Sequence, residues 1–477
     1  MNTMDYIAAA PEITLLGLIC GVMIADLFVE DDSRIVTFWL SIASLVAVAA
    51  VLYVTAGSDR QLAFYGAYVA DPLSNVLKMS ALLFVGLSFF YARDYLRAND
   101  LHKGEFYLLG LFGLLGMMIM MSANSLLTMY LGLETLALSL YALVAIDRKS
   151  ATSAESAMKY FVLGAIASGV LLYGISWVYG VTGSLQFHDI AMALSADSDL
   201  NSLPLWFGLA FLVVGIAFKF GAVPFHMWLP DVYHGAPTPV TLYLTAAPKV
   251  ASYALAIRLL AEGLGDMRDG WQDMLIVLSV LSMVVGNLVA IAQTNLKRML
   301  AYSTISHVGF ILLGILAGTT EGYQAALFYT ITYVIMAVGS FGMILLLSRE
   351  GFEADRLDDF KGLNRRSPWF AAVMLMLMFS TAGVPPFVGF WAKVGVIGAV
   401  LDLGYTWLAA IAVLFSVVGA FYYLRVVKLM YFDEPEGEEP LVAGTAMRAT
   451  VSLNGLAVLA LGIFPAALLN LCIRVFQ

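Results

Sequence analysis

The stretch Phe218-Lys219-Phe220-Gly221-Ala222-Val223-Pro224-Phe225-His226 decides the fold, because it places a lysine and a proline inside a long apolar segment. A second stretch, Ser380-Thr381-Ala382-Gly383-Val384-Pro385-Pro386-Phe387, shares its Gly-x-x-Pro-Phe core. Proline removes a backbone donor and clashes with the preceding turn, so each stretch predicts a broken helix. Paired breaks in two halves of a chain are typical of transporters built from repeats.

The composition around these stretches is that of a membrane protein. Of 477 residues, 61% are hydrophobic and 12% are charged, whereas soluble domains are roughly 45–50% apolar and 25% charged. Apolar runs of about 20 residues, the length that crosses a bilayer as a helix, recur along the whole chain. The sequence therefore predicts an all-α polytopic membrane protein with about fourteen transmembrane helices. The predicted spans are Ala8–Phe28, Ile35–Thr55, Leu73–Tyr91, Phe106–Met121, Ser125–Ile146, Met158–Tyr179, Leu205–Trp228, Val240–Leu260, Met274–Gln293, Met299–Ala317, Tyr323–Leu347, Trp369–Val400, Trp407–Phe432 and Ala446–Val475.

The two breaks fall in the seventh and twelfth predicted spans, five spans apart. A unit of five helices has odd parity, so two copies in tandem are inverted relative to each other. We predict inverted repeats over spans 4–8 and 9–13, each with one broken helix. The corresponding regions are 1–104 (helices 1–3), 105–262 (first repeat), 263–435 (second repeat) and 436–477 (helix 14).

Basic residues divide unequally between the loops on the two sides of the predicted bundle. Loops after odd-numbered spans hold Arg34, Arg93, Arg97, Lys103, Arg148, Lys149, Lys297, Arg298, Arg349, Arg356, Lys361, Arg365, Arg366, Arg425, Lys428 and Arg448. The opposite side holds Arg60, Arg258, Arg268 and Arg474. Because Lys and Arg accumulate in cytoplasmic loops, this division predicts that both termini are periplasmic.

Several ionisable residues lie inside the predicted spans, where each costs roughly 2.5–3.5 kcal/mol at a helix centre and usually marks an ion pathway. They are Glu134, Lys219, Lys249, Lys393, Lys159 and His307. Burial in a medium of low dielectric destabilises a charged ammonium, which lets a lysine release a proton near neutral pH. These residue types therefore favour a proton relay.

Glu134 and Lys219 are the pair in which the relay can be switched. At an assumed separation of about 7 Å and an effective dielectric of about 20, their attraction is about 2.4 kcal/mol, which is nearly two pKa units. Moving or neutralising the carboxylate would change how tightly the lysine holds its proton. The alternative is a purely structural ion pair, and the same alternative holds for Lys249 and Lys393. His307 has the alternative of an interhelical hydrogen-bonding residue.

Other residues have plainer interpretations. Lys78 and Asp26 lie near predicted helix ends, so we interpret them as snorkelling or packing residues. The chain has two cysteines, too few to hold an iron–sulfur cluster, and no glycine-rich fingerprint follows a strand. The sequence thus predicts no cofactor, metal or nucleic acid bound by this chain and no electron transfer through it.

The extended run Phe218–Asp231, with Tyr233–Thr241 and Ala247-Pro248-Lys249 after it, resembles the antiporter-like subunits of respiratory complex I, the NADH-quinone oxidoreductase, and the related Mrp-type cation/proton antiporters. The sequence around Lys249, and a lysine rather than a glutamate at 393, resemble the N-type members. The resemblance covers essentially the full length.

The resemblance implies a function and a set of neighbours. It implies that Glu134 and Lys219 open one half-channel, that Lys249 is the central lysine and that Lys393 leads to the other side. It places four secondary residues on a hydrated polar axis: Lys159, His226, Tyr302 and His307. It also implies a bacterial inner membrane, neighbouring subunits M and K, the lateral helix of subunit L, and FMN, iron–sulfur clusters and quinone in other subunits. Alternatives are an Mrp-type antiporter and a structural subunit that conducts nothing.

Overall fold

The computed structural model describes residues 3–30, 34–196, 203–435 and 443–476. The first half is built of α1 Thr3–Ala8, α2 Ala10–Asp26, α3 Ile35–Thr55, α4 Pro72–Ala98, α5 Gly104–Met121, α6 Leu126–Val144, α7 Ala151–Thr182, α8 Phe187–Ala196, α9 Leu203–Phe220, α10 Trp228–Gly235, α11 Thr238–Thr245 and α12 Ala247–Ala256. The strands β1 Gln61–Ala63 and β2 Tyr68–Ala70 pair as an antiparallel hairpin between α3 and α4.

The second half begins after a π-helical segment, Ile257–Gly263, and a 3₁₀ turn, Gly265–Met267. Its helices are α13 Arg268–Ile291, α14 Leu296–Leu316, α15 Thr320–Leu347, α16 Leu363–Arg366, α17 Pro368–Ala382, α18 Val388–Asp402, α19 Thr406–Phe432, α20 Thr445–Ile463 and α21 Ala466–Arg474, with a 3₁₀ turn at Leu357–Phe360. The prediction of an all-α polytopic protein is confirmed.

Twelve helical segments of the described chain are long and apolar enough to cross a bilayer. The first predicted span is the 17-residue helix α2, and the twelfth is divided into the 15-residue helices α17 and α18. Both predicted helix breaks are confirmed, because α9 ends before Gly221 and α17 ends before Gly383. The exact count of fourteen spans stays a prediction.

The start of each predicted repeat has the same local structure at a constant sequence offset. Ser125 caps α6 and Asn295 caps α14, each accepting a hydrogen bond from a backbone N–H three residues later. The next backbone N–H groups, those of Leu126 and Leu296, donate to the carbonyls of residues 185 and 355 at 2.8 and 2.6 Å. These matched contacts support two related units, while the predicted region boundaries remain predictions.

The eighth span differs from its prediction, because it is not one continuous helix. Helix α11 ends at Thr245, and Ala246 has φ −89° and ψ −112° before α12 begins. Pro248 lies in the first turn of α12, where its missing N–H costs no helical hydrogen bond. Lys249 is therefore at the start of a helix and not in the middle of one.

Candidate functional site

The two helix breaks have the same backbone structure. Gly221 and Gly383 have φ of 79° and 90°, the left-handed conformation in which glycine commonly ends a helix. The following N–H groups, of Ala222 and Val384, return to carbonyls five residues earlier at 2.8 and 2.9 Å. The repeated Gly-x-x-Pro-Phe core thus ends both helices in the same way.

Each break leaves one carbonyl that a buried lysine contacts. Lys249 Nζ donates to the Phe220 carbonyl at 2.9 Å, and Lys393 Nζ donates to the Ala382 carbonyl at 2.8 Å. Both carbonyls belong to the residue directly before the left-handed glycine. A helix C-terminus carries partial negative charge and unpaired carbonyls, so an ammonium is stabilised there. Lys249 is 2% exposed and Lys393 is 8% exposed.

The two ammonium groups come from different helices of their units. Lys249 lies on α12, the helix after the broken pair, whereas Lys393 lies on α18, the second half of the broken pair itself. Lys393 also donates to Ser416 Oγ of α19 at 2.8 Å. The two units therefore place an ammonium at the same point of the helix break, but they supply it from different helices.

Lys219 lies in the last turn of α9, directly before Phe220. Its ammonium lies 6.0 Å from the centre of the Phe218 ring, and the charge of Glu134 acts on it. Among the described residues, no ion pair within 4.0 Å joins Lys219 to Glu134. Glu134 Oε1 is buried and has no hydrogen-bond partner among the described residues. The predicted pair therefore interacts through its charges and not through a direct hydrogen bond.

Lys219 and Lys249 line one small cavity. Its volume is about 30 Å³, and its wall includes Tyr160, Trp228 and Ser252. That volume is enough for a water molecule, which needs roughly 10–15 Å³ of this kind of space. The first two lysines of the predicted relay therefore line one small cavity whose wall is otherwise mostly apolar.

The second unit contains a buried hydrogen-bond network around His307. Its ring nitrogens contact the hydroxyls of Tyr329 at 2.7 Å and Tyr423 at 3.1 Å, with donor and acceptor roles set by the tautomer. Tyr423 contacts the Tyr422 hydroxyl at 3.1 Å, and Tyr422 donates to Asn287 Oδ1 at 3.0 Å. Such a chain of hydroxyl and imidazole groups is able to pass a proton by exchange of hydrogen bonds.

Four members of this network were not predicted from the sequence: Tyr329, Tyr422, Tyr423 and Asn287. The adjacent tyrosines in an apolar span could have indicated a buried hydrogen-bond network, because a buried hydroxyl normally has a hydrogen-bond partner. Lys393 is coupled to this network electrostatically, since its charge acts on His307. It also contacts the network through Phe310, whose ring centre lies 5.1 Å from the Lys393 ammonium.

Three of the secondary predicted residues lie apart from these clusters. Lys159 is 43% exposed and pairs with Glu155 at 2.9 Å and with Asp231 at 2.8 Å. His226 lies in the first break, where its Nδ1 has no hydrogen-bond partner among the described residues. Tyr302 is partly buried. Among the described residues, no hydrogen bond joins Lys249 to the His307 network.

The interpretation of Lys78 as a snorkelling residue is wrong, whereas its alternative role in packing takes the form of a buried ion pair. Its side chain is fully buried, forms an ion pair with Glu12 Oε1 at 2.7 Å and donates a hydrogen bond to the Tyr68 hydroxyl at 2.9 Å. Tyr68 in turn donates to Glu12 Oε2 at 2.8 Å. The sequence could not pair these residues, because the hairpin that brings Tyr68 to α2 and α4 is a tertiary contact.

Comparisons with known proteins agree on one family. Residues 123–419 match the family model described as NADH:quinone oxidoreductase/Mrp antiporter, TM. A relative from Thioalkalivibrio sulfidiphilus, NADH-quinone oxidoreductase subunit N, is 57% identical over 467 residues, which are 98% of this chain and 97% of the relative.

Two solved structures have similar folds. A chain of respiratory complex I from Thermus thermophilus with bound aureothin is 32% identical, with a TM-score of 0.83 and coverage of 96% of this chain and 98% of that one. A chain of the Mrp complex from Dietzia has a TM-score of 0.86 at 22% identity, with coverage of 100% and 97%, so this likeness concerns the fold alone.

Proposed function

Because the chain belongs to the NADH:quinone oxidoreductase/Mrp antiporter family, among the N subunits of NADH-quinone oxidoreductase, we propose that Glu134, Lys219, Lys249 and Lys393 carry protons through it. The chain is a multi-pass membrane subunit of that enzyme complex. Quinone reduction elsewhere in the complex drives the proton movement.

One observation carries the proposal: at each helix break, a buried lysine donates to the carbonyl of the residue directly before the left-handed glycine. A purely structural cap would be served by any fixed donor, yet both positions hold a side chain that gains and loses protons. Lysine is the cationic side chain whose proton affinity changes readily on burial. Lys219, one residue from the first of these carbonyls, adds a third such group and shares a cavity with Lys249.

The proposed order of proton transfer begins at Glu134 and Lys219. The Glu134 charge stabilises the ammonium form of Lys219, so loss of that charge favours release of the proton. The shared cavity offers the released proton a path to Lys249. Beyond Lys249, the proposed order is the His307 network and then Lys393. Because no hydrogen bond among the described residues joins Lys249 to the network, and because the Phe310 ring between the network and Lys393 cannot carry a proton, both transfers require bridging water.

The redox cofactors of the proposed complex and the neighbours of this chain lie in other subunits. We assign FMN, the iron–sulfur clusters and quinone to other subunits, and we place subunits M and K and the lateral helix of subunit L beside this chain. The membrane is the bacterial inner membrane. Both termini are periplasmic, which is supported by the excess of Lys and Arg in the odd-numbered loops.

Substitutions at the first pair test the proposal. Lys219→Ala removes a proton carrier, and Lys219→Arg keeps a charge that does not release its proton at any working pH. Both variants should abolish most coupled pumping, and Glu134→Gln should lower it while Glu134→Asp retains part of it. The measurement is proton uptake into inverted membrane vesicles during NADH-quinone turnover, with assembly checked on native gels.

The same measurement separates the alternatives. A subunit that conducts nothing would leave the proton-to-electron ratio of assembled Lys219→Ala complex unchanged, and that outcome would refute the relay. An Mrp-type antiporter would exchange cations for protons after purification without quinone-reducing subunits. We expect no such exchange from this chain alone.

A further inference from the structure

Two arginines occupy equivalent positions in the two units, and neither is part of the relay. Arg258 donates to the carbonyl of Met121, the last residue of α5, at 3.2 and 3.3 Å. Arg425 donates at 2.9 Å to the carbonyl of Ile291, the last residue of α13. Met121 and Ile291 are separated by the same sequence offset as the cap residues of α6 and α14.

Arg258 is held by carboxylates on two sides. It is fully buried, and its guanidinium contacts Asp71 Oδ1 at 2.7 Å and Glu262 Oε1 at 2.5 Å. Burial raises the pKa of the Asp71 carboxyl, but the Arg258 charge and hydrogen bonds from Arg258 and Ser74 outweigh burial and hold that pKa below its ordinary value. The cluster therefore stays charged.

Arg258 follows the relay lysine Lys249 along the chain, and one of its carboxylate partners lines an open cavity. It follows Lys249 by nine residues, which is roughly 13 Å along a helix at 1.5 Å per residue. It lies in the π-helical segment that continues α12, and such segments often occur at functional sites. Its partner Glu262 lines an open cavity of about 360 Å³ together with Arg60 and Asn124, on the predicted periplasmic side.

Arg425 has the corresponding place in the second unit. It lies three residues, or about one helical turn, after Tyr422 of the His307 network. Its second terminal nitrogen donates to the Gln293 carbonyl at 2.6 Å, in the loop that follows α13. This loop is on the predicted cytoplasmic side, opposite to Arg258. Inverted units would produce this opposite placement.

We propose that Arg258 and Arg425 are seals that prevent protons on the relay from leaking to the nearer membrane face. A guanidinium stays protonated at all working pH values, so it neither accepts nor passes on a proton. At Arg258 the carboxylates of Asp71 and Glu262 offset the positive charge, so the seal there depends on the inability of the guanidinium to transfer a proton. The described hydrogen-bond partners of Arg425 are uncharged, so its positive charge also raises the energy of a proton beside it. The inference rests on the proposed relay.

A helix cap alone is the competing explanation, and Arg268 provides the matched control. Arg268 Nη2 donates to the carbonyl of Ala317, directly after α14, so it also caps a helix end. Arg268 lies at the start of α13, on a different segment from Lys249. Replacing Arg268 should remove a hydrogen bond to a helix-end carbonyl without creating a proton leak from the relay.

The experiment measures proton leak without electron input. Inverted vesicles containing assembled complex receive an acid-inside pH gradient, and its decay is followed with a fluorescent dye in the absence of NADH. Arg258→Gln and Arg425→Gln should make the decay several-fold faster, whereas Arg268→Gln should not change it. Arg258→Lys keeps a positive donor for Asp71 and Glu262 but introduces a side chain that can release a proton, so its gradient should decay faster than in the wild type and more slowly than in Arg258→Gln.

The outcomes distinguish the seal from the relay itself. If assembled Arg258→Gln and Arg425→Gln complexes hold the gradient as long as the wild type, the seal is refuted, whatever pumping assays on Lys219 variants show. Should Arg258→Gln fail to assemble, Arg425→Gln and Arg258→Lys decide the question. Failure of the relay would appear instead as unchanged pumping in Lys219→Ala.

Discussion

The first and second helix breaks have the same backbone but receive their ammonium groups from different helices. At the first break α12 supplies Lys249, and at the second α18 supplies Lys393. Ser416 of α19, which contacts Lys393, lies at the same offset from Arg425 as Lys249 from Arg258. What the two units share is therefore the site of positive charge beside the carbonyl, and not the position of the residue that provides it.

The units also differ in the carboxylate. Glu134 follows the α6 cap Ser125 by nine residues, and the residue nine after Asn295 is Thr304. Its hydroxyl donates to the Leu300 carbonyl at 2.9 Å and accepts from the Tyr333 hydroxyl at 2.7 Å. The first unit thus has a charge that can switch a lysine, whereas the second has a closed hydrogen-bond network. We infer that the charge that switches the proposed relay lies in the first unit, while both units carry protons.

Removing the ammonium at the first break should have the largest effect. Lys249→Met fills a similar volume but leaves the Phe220 carbonyl without its donor, at a cost of about 1–3 kcal/mol in stability. It also removes the central lysine of the proposed relay, so coupled pumping should be lost. Proton uptake per NADH oxidised is the measurement.

Arginine at the same position separates capping from proton transfer. Lys249→Arg retains a positive donor for the Phe220 carbonyl, so it should assemble more stably than Lys249→Met, but it should pump as poorly. Normal pumping by Lys249→Arg would show that this site needs only a fixed charge, and the comparison between the two units would then concern structure alone.

Moving the second ammonium should produce a smaller, partial effect. Lys393→Ala alone should pump poorly. The double variant Lys393→Ala with Ser416→Lys supplies the ammonium from α19, which imitates the arrangement of the first unit. We expect it to regain part of the pumping, because the charge returns to the Ala382 carbonyl. The measurement compares proton-to-electron ratios of the single and double variants at equal assembly.

Two results would contradict this expectation. Pumping by the double variant no better than by Lys393→Ala would mean that the helix of origin matters as much as the site of charge. Normal pumping by Lys393→Ala itself would remove Lys393 from the relay. Ser416→Lys in the wild-type background serves as the control for crowding by two adjacent ammonium groups.

Much of the fold could be predicted from the sequence, because the determining signals are local. Apolar length gives the spans, and glycine followed by proline gives the two breaks. The lysines were found because a charge in an apolar run is costly. Each of these signals needs only a few neighbouring residues, and each coincides with a feature of the structure.

The remaining features depend on contacts between distant segments. The carbonyl partners of Lys249 and Lys393 belong to other helices, and the burial of Lys78 depends on the β-hairpin. The discontinuity at Ala246 was overlooked although a proline two residues later offered a local signal. From the sequence alone, Tyr423 could equally face lipid. Its hydroxyl on α19 reaches His307 on α14 only through the tertiary structure.

Ser416→Ala should have the smallest effect of these substitutions. The Ser416 hydroxyl and the Ala382 carbonyl each accept a hydrogen bond from Lys393 at 2.8 Å. Loss of a hydrogen bond to a charged group costs about 1.5–3 kcal/mol, but here the carbonyl contact remains, so we expect about 0.5–1.5 kcal/mol. Pumping should persist with a modest loss of rate. The loss should be greatest at high pH, because a less stabilised ammonium loses its proton at a lower pH than in the wild type.

A pH profile of proton uptake tests this expectation, with Ser452→Ala as the matched serine control. Ser452 lies on α20, where its hydroxyl donates to the Arg448 carbonyl at 2.7 Å and accepts from the Trp369 indole at 2.8 Å. Its removal costs hydrogen bonds without touching a lysine of the relay, so the profile of Ser452→Ala should match the wild type. An identical profile for Ser416→Ala would show that the carbonyl alone fixes Lys393. The serine would then be no counterpart of Lys249, and the likeness between the two units would end at the helix breaks.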